Sequence, residues 1–125
     1  MITGTHILFY SENPEADRAF FRDVLQFHAV DAGHGWLIFR LPPAEAGIHP
    51  VEDAVKQQGQ GSLLDAVVYL MCDDLEAQIK ELETRKVSCS PVEKAPWGMK
   101  TTLRLPSGRQ LGLYEPRHPT ALDLK

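Results

Sequence analysis

The chain has 125 residues, of which 43% are hydrophobic and 24% charged, as is typical of one globular domain that can bury a core. Its formal net charge is −4, and its thirteen Lys and Arg residues are scattered, which excludes the basic surface of a nucleic-acid-binding protein. No apolar stretch approaches the about 20 residues that span a bilayer, and the first residues lack the basic region of a secretory signal. We therefore expect a cytoplasmic protein with neither nucleic acid nor membrane as a partner.

The first half of the chain predicts a strand, a helix and three further strands. Residues 2–10 form a nearly continuous apolar run rich in aromatic and β-branched residues, which favours a strand. The following NPEA predicts a helix start, with Asn13 as N-cap and Pro14 at the first helical position. Two strands are expected at about 27–32 and over WLIFRLP, and a short fourth strand around GIHPV.

The second half repeats this order after a polar, glycine-rich linker at about 56–62. A buried strand over 65–72 leads into DDLEA, where Asp73 or Asp74 caps a helix. The buried face of that helix is predicted to carry Leu75, Ile79 and Leu82, and strands are expected at 87–90, 99–105 and 110–114.

Matching tetrapeptides support a duplication of one structural unit. NPEA at 13–16 corresponds to DLEA at 74–77, and FRLP at 39–42 corresponds to LRLP at 103–106. The predicted organisation is one α+β domain, 1–125, built from two tandem βαβββ modules. Module 1 covers about 2–55, module 2 about 63–116, and a C-terminal tail follows at 117–125.

Side chains alternate between the two faces of each predicted strand. Ile7 and Phe9 should meet the first helix, which turns His6 to the opposite face. The face away from the helices is too polar for a packed core, so we interpret it as the lining of a cleft. Its predicted members are His6, Trp36, Arg40, His49, Tyr69, Arg104, Gln110 and Tyr114.

The stretch CDDLEAQIKELETRKV, followed by LRLPSGRQLGLYEP, resembles the vicinal oxygen chelate superfamily. That superfamily includes glyoxalase I, the extradiol dioxygenases and the bleomycin resistance proteins. The resemblance covers residue 5 to about 116, and it implies that each module curls into an incomplete barrel and that two modules form the cleft. In the family a metal at the cleft floor, held by the first and fourth strands of each module, acts as a Lewis acid on the substrate.

The metal-ligand positions implied by the resemblance are complete in only one half of this chain. The first-module positions fall on His6 and His49, which metals accept. The second-module positions fall on Val67 and Gly112, which cannot act as ligands. A catalytic divalent ion generally needs three or four protein ligands, so the expected cofactor is one weakly held Fe, Mn, Ni or Zn ion, or none.

Two functions remain open at this point. One is a metal-assisted lyase or dioxygenase of the glyoxalase type, acting on a small oxygen-rich substrate, with His6, Tyr69 and Tyr114 as catalytic candidates. The other is a metal-free protein that sequesters a small planar or anionic molecule, as the drug-sequestering resistance proteins do. Edge strands and the small domain also predict a homodimer. The substrate-binding candidates for either function are Trp36, Arg40, Trp97, Arg104 and Gln110.

Overall fold

The computed structural model of the chain describes residues 1, 3–51 and 61–124. The linker predicted at about 56–62 lies mostly outside the described residues, as does the end of module 1. Over the described residues the fold is α+β, as predicted, with two helices and two open sheets. The elements are α1 (Pro14–Asp23), β1 (Ala29–Asp31), β2 (Leu37–Phe39), β3 (Tyr69–Met71), α2 (Leu75–Thr84), β4 (Glu93–Ala95), β5 (Gly98–Arg104) and β6 (Gln110–Pro116).

Both helices begin where their sequences predict. The Asn13 side chain accepts a hydrogen bond from the Ala16 N–H at 3.3 Å, and Pro14 occupies the first position of α1. The Asp74 side chain accepts from the Ala77 N–H at 3.0 Å at the start of α2. These caps satisfy backbone donors that have no partner inside the helix.

The sheet of the second module has the strand order β3-β6-β5-β4. β3 runs parallel to β6, with Tyr69 opposite Gly112, whereas β5 and β6 are antiparallel. The strand predicted over 65–72 is therefore shorter than expected. The strand predicted at 87–90 was wrong, because only an isolated bridge joins Cys89 to Leu103 there.

β4 was not predicted from the sequence. Glu93–Ala95 pairs with the start of β5 through a two-residue connection at Pro96 and Trp97. The residues of β4 are mostly polar and exposed, so they carry no alternating apolar pattern. Backbone hydrogen bonds to β5 hold this edge strand, and the hydrophobic pattern gives no sign of them.

The first module contains less sheet than its sequence predicts. β1 and β2 form an antiparallel pair, with Ala29 opposite Phe39. Segments 3–10 and 47–51 are not strands, and both strand predictions were wrong for the single chain. Within the described residues neither segment has a strand beside it, and Leu8 and Ile48 are exposed.

One hydrophobic core lies between the two helices and the second-module sheet. α1 contributes to it from the first module, and the buried Asp17 of α1 accepts a hydrogen bond from the Ser107 N–H at 3.0 Å. None of the helices in the described part of the chain is both long and apolar enough to span a membrane. The buried core side chains are Phe20, Phe21, Leu75, Leu82, Val87, Leu103, Leu111 and Leu113.

Candidate functional site

Three aromatic rings of the second module pack against one another. The ring centroids of Trp97 and Tyr114 are 5.4 Å apart, those of Tyr69 and Tyr114 are 5.6 Å apart, and those of Tyr69 and Trp97 are 6.3 Å apart. All three pairs meet edge to face, the geometry that the electrostatics of aromatic rings favours. The ring of His118 stacks on Tyr114 at 6.1 Å. We call Tyr69, Trp97, Tyr114 and His118 the aromatic cluster.

The register of the sheet brings the cluster together. Met71 on β3 lies opposite Tyr114 on β6, and Tyr69 lies two residues earlier on the same face. Trp97 is added from the connection between β4 and β5. Leu111 and Leu113 are buried in the helix-side core, so strand alternation places Tyr114 on the opposite face.

The ring of Tyr69 lies across Gly112. A Cβ atom built at residue 112 would lie 2.7 Å from Cε1 and 2.9 Å from Cγ of Tyr69, closer than carbon atoms approach. Residue 112 is the position at which the superfamily resemblance implies an acidic metal ligand. In this chain the space for that side chain is filled by an aromatic ring.

The donor set does not fit the metal that the family implies. His6 and His49 are both exposed, and Nδ1 of His49 lies 2.8 Å from the backbone oxygen of Pro50. Within residues 1, 3–51 and 61–124, no three His, Cys, Asp or Glu side chains are grouped so that they could hold a metal ion. Glu115 cannot complete the set, because its Oε1 accepts a hydrogen bond from the Leu75 N–H at 3.0 Å on the helix side.

Charged groups lie near the rings of Trp97 and Tyr114. Nζ of Lys100 lies 5.6 Å from the ring centroid of Trp97 and 3.5 Å from a carboxylate oxygen of Glu93. Burial and, secondly, the nearby carboxylate of Glu45 raise the pKa of the Tyr114 hydroxyl above its ordinary value. Oε1 of Glu45 is buried and has no hydrogen-bond partner in the described part of the chain.

Of the predicted site residues, Tyr69, Trp97 and Tyr114 come together. Trp36 lies elsewhere, because the guanidinium of Arg18 on α1 covers its ring at 4.7 Å to the centroid. Strand alternation predicts Trp36 on the face away from α1, and a contact made by the long Arg18 side chain does not test that prediction. The ligand-binding role proposed for it stays a prediction.

The remaining predicted residues lie outside the aromatic cluster. Arg40 and Gln110 are exposed. Arg104 is exposed beside the turn at Gly108 and lines a groove with Phe20 and Val24. No contact joins these three side chains to the cluster among the described residues, so their binding roles also remain predictions.

Sequence reasoning missed Glu45 and His118. Glu45 lies in the loop PPAEAG, whose composition predicts only a connection, and His118 lies in the segment interpreted as a tail. The hydroxyl of Tyr114 is 3.3 Å from Nε2 of His118, so the tail closes one side of the cluster. Neither residue belongs to a periodic pattern, and only the three-dimensional structure reveals their proximity to Tyr114.

A groove of about 310 Å³ lies on the opposite, helix side of the second-module sheet. It runs between the end of α1, α2 and β3, and apolar side chains such as Leu25 and Leu70 line much of it. Burial, with a smaller effect of Glu115, raises the pKa of the Cys72 thiol in this groove to about 11. The thiol is therefore neutral near pH 7 and is not an activated nucleophile.

Comparisons with known proteins identify the fold. No protein-family model matches the chain, and no curated protein matches it. The solved structure of lactoylglutathione lyase from Agrobacterium tumefaciens is similar with a TM-score of 0.61 at 16% identity, over 90% of this chain and 92% of that one. TnmS3, an antibiotic binding protein from Streptomyces sp. CB03234, is similar with a TM-score of 0.58 at 26% identity, over 93% and 98%.

A third similar structure carries the name of the family itself. It is a member of the glyoxalase/bleomycin resistance protein/dioxygenase superfamily from Sphaerobacter thermophilus DSM 20745, with a TM-score of 0.57 at 23% identity, over 91% of this chain and 98% of that one. The chain therefore has the fold of the glyoxalase/bleomycin resistance/dioxygenase superfamily, and the resemblance to the vicinal oxygen chelate proteins that DDLEA and PSGRQLGLYEP predict is confirmed.

Proposed function

We propose that this protein binds a small planar aromatic molecule on the aromatic cluster and needs no metal ion to do so. The observation that carries the proposal is the ring of Tyr69 lying across Gly112. Residue 112 is a glycine where the resemblance implies a metal ligand, and the ring of Tyr69 fills the space of that ligand. The second module therefore lacks the donor that Lewis-acid chemistry needs and offers aromatic rings on which a planar molecule can stack.

The cluster is accessible to a ligand. Trp97 is 38% exposed, and Tyr69 and Tyr114 are partly buried. Edge-to-face packing among the three rings limits their rotation, so a ligand ring that joins them causes little further loss of side-chain freedom. A planar ligand would extend the cluster and cover the exposed part of Trp97.

The metal-dependent alternative is supported less well by the residues present. A glyoxalase-type lyase or a dioxygenase would use the metal to stabilise a developing oxyanion. Here only His6 and His49 remain of the four ligand positions, and both are exposed. The antibiotic binding protein TnmS3, which is similar over nearly the whole chain, agrees with a binding function.

A fluorescence titration tests the binding proposal. The Trp36→Phe variant makes Trp97 the one remaining tryptophan, and 2-(hydroxymethyl)anthraquinone, a planar neutral quencher, serves as the probe. We expect saturable quenching in protein treated with a chelator, and its loss when Tyr114→Ala is added. Quenching that rises linearly without saturation, or that requires an added metal, would contradict the proposal.

We further propose that two copies of the chain pair through the segments at 3–10 and 62–68. Leu63, Leu64 and Val67 are 94%, 99% and 81% exposed, which is unfavourable for apolar side chains in water. β3 lies at one edge of its sheet, so a segment from a second copy can add to it as a strand. Each copy adds its segment to the sheet edge of the other, so in a two-fold symmetric dimer the segments of both copies are paired.

The mass in solution tests this pairing. Light scattering should give twice the chain mass of 14.0 kDa, and Leu64→Lys should lower the mass towards that of one chain. Glu76→Lys, on the exposed side of α2, is the matched control and should leave the mass unchanged. A monomer at all concentrations would overturn the proposal.

A further inference from the structure

A second groove of about 310 Å³ lies between α1, the segment that follows α2 and the end of β5. It shares no lining residue with the aromatic cluster and is therefore a separate candidate site for a ligand. No acidic side chain lines it among the described residues, so its charged groups are all cationic. Its apolar residues are Phe20, Val24, Val87, Leu105 and Pro106, and its polar residues are Arg85, Lys86, Ser88 and Arg104.

Backbone pairing places two of the polar residues side by side. The Arg104 N–H donates to the carbonyl oxygen of Ser88 at 3.1 Å, and the neighbouring residues Cys89 and Leu103 form an isolated bridge. Lys86 precedes Ser88 by two residues, and both Lys86 and Arg104 are exposed. Within residues 1, 3–51 and 61–124 neither cation makes an ion pair with a carboxylate. Both charges are therefore available to a ligand.

Arg85 is already held in position at the same groove. Its Nε donates to Oε1 of Glu81 at 3.1 Å, and its Nη1 donates to the backbone oxygen of Val24 at 3.1 Å. These two bonds fix the guanidinium between α2 and the end of α1 and use two of its five N–H donors. An anion that accepts from the other donors meets an ordered side chain, so its binding costs less side-chain entropy.

Helix dipoles explain only part of this positive charge. Arg85 and Lys86 directly follow α2, and cations are favourable near the C-terminus of a helix. Arg104 is the last residue of β5, so its position at the groove has no such explanation. The chain as a whole carries a net charge of −4, so a groove lined by three cations has the opposite sign to the protein that surrounds it. That local charge favours an anionic ligand.

We propose that this groove binds a small amphiphilic anion. Its carboxylate, sulfonate or phosphate group pairs with Arg104 and Lys86, because a guanidinium and an ammonium both donate to anionic oxygens. Its apolar part covers Val24 and Leu105 and so removes apolar surface from water. The volume of the groove lies at the lower end of the range for small-molecule sites, which limits the ligand to a short apolar group. The site is independent of the aromatic binding proposed above.

Four aliphatic compounds without a planar ring test the inference. Octanoate, octanol and octylammonium share a chain and differ in charge, whereas acetate shares the carboxylate of octanoate and lacks its chain. Dissociation constants and the binding site come from the amide chemical shifts of the isotope-labelled protein at neutral pH and low salt. We expect octanoate to shift the amides of residues 86–88 and 104–105 saturably and to bind about tenfold more tightly than octanol or acetate. Octylammonium should not saturate these shifts.

Charge variants locate the anion. Arg104→Gln should weaken octanoate binding about tenfold and leave the affinity for octanol unchanged. Lys94→Gln is the matched control, because it makes the same change in net charge at an exposed position of β4, outside the groove, and it should bind octanoate as the wild type does. Circular dichroism establishes that both variants are folded.

Three results would overturn the inference. They are octanoate binding no tighter than octanol or acetate, an affinity for octanoate that survives Arg104→Gln, and saturable shifts that fall only outside the groove. Absence of saturable octanoate binding would overturn it as well. None of these results bears on aromatic binding, which the quenching of Trp97 tests separately.

Discussion

Replacing Gly112 with alanine tests whether the ring of Tyr69 fills the space beside residue 112, where the superfamily resemblance implies a metal ligand. The added Cβ would lie 2.7 Å from Cε1 of Tyr69, so the ring must shift or the strand must move. Overpacking of this kind costs about 1 to 3 kcal/mol in free energy of unfolding. The backbone of Gly112 is not in the left-handed region, so the alanine also stabilises by about 0.4 to 1 kcal/mol by restricting the unfolded chain. The expected net loss is about 0.5 to 2 kcal/mol.

A double-mutant cycle separates the two contributions. In a Tyr69→Ala background the ring is absent, so Gly112→Ala should change from destabilising to stabilising by about 0.5 kcal/mol. Gly4→Ala is the control, because no atom lies within 4 Å of its added Cβ, and it should shift stability by less than about 0.5 kcal/mol. Urea unfolding followed by circular dichroism gives the free energy of unfolding of the wild type, of the three variants in the cycle and of Gly4→Ala. A coupling free energy near zero would refute the placement of the ring over Gly112.

Three further predictions concern the thiols, the buried acid and the helix cap. In a Cys89→Ser background, Cys72 should react with a disulfide reagent at pH 8 about 100-fold more slowly than a thiol of pKa 9.0, because its pKa is raised to about 11. The pKa of Cys72 is raised only in the folded chain, so the free energy of unfolding should also fall as the pH rises from 9.0 towards 11. Equal reactivity of Cys72 in native and urea-unfolded protein would disprove the raised pKa. Asp17→Ala should lower the free energy of unfolding by about 1 to 3 kcal/mol in urea, since it leaves the Ser107 N–H unpaired, whereas Asp17→Asn, which keeps an acceptor, should cost less. Glu115→Ala should cost about 0.5 to 2 kcal/mol by removing the acceptor of the Leu75 N–H, and a loss no larger than that of Glu76→Ala would argue against this cap.

The second module was predictable because its local signals agree with one another. Asp74 caps α2, the apolar residues of α2 recur at helical spacing, and Leu111 and Leu113 alternate with polar neighbours. Each signal is local, and each is satisfied within the module itself. The same alternation correctly placed Tyr69 and Tyr114 on one face.

In the first module, local sequence patterns were not enough to predict the structure. Segment 3–10 has the composition of a strand, but a strand also needs a neighbour with which to form hydrogen bonds, and composition does not supply one. Trp36 directly precedes β2, and the guanidinium of Arg18 from α1 covers its ring, a contact that alternation along one strand does not predict. At these positions contacts distant in sequence decide the outcome.

The candidate site was predictable in part for the same reason. Strand alternation placed the two tyrosines, but Trp97 joins them only because β4 and β5 form a hairpin that no apolar pattern indicates. His118 reaches the cluster from the segment after β6, where the sequence carries no periodicity.

We propose that the second module carries an aromatic binding surface where the superfamily resemblance implies metal ligands. The metal content of protein purified without chelator, measured by plasma mass spectrometry beside a His6→Ala variant, tests it most directly. We predict amounts of Fe, Mn, Ni and Zn far below one ion per chain and equal in the two proteins. One equivalent of any of these metals in the wild type, lost in His6→Ala, would contradict the claim.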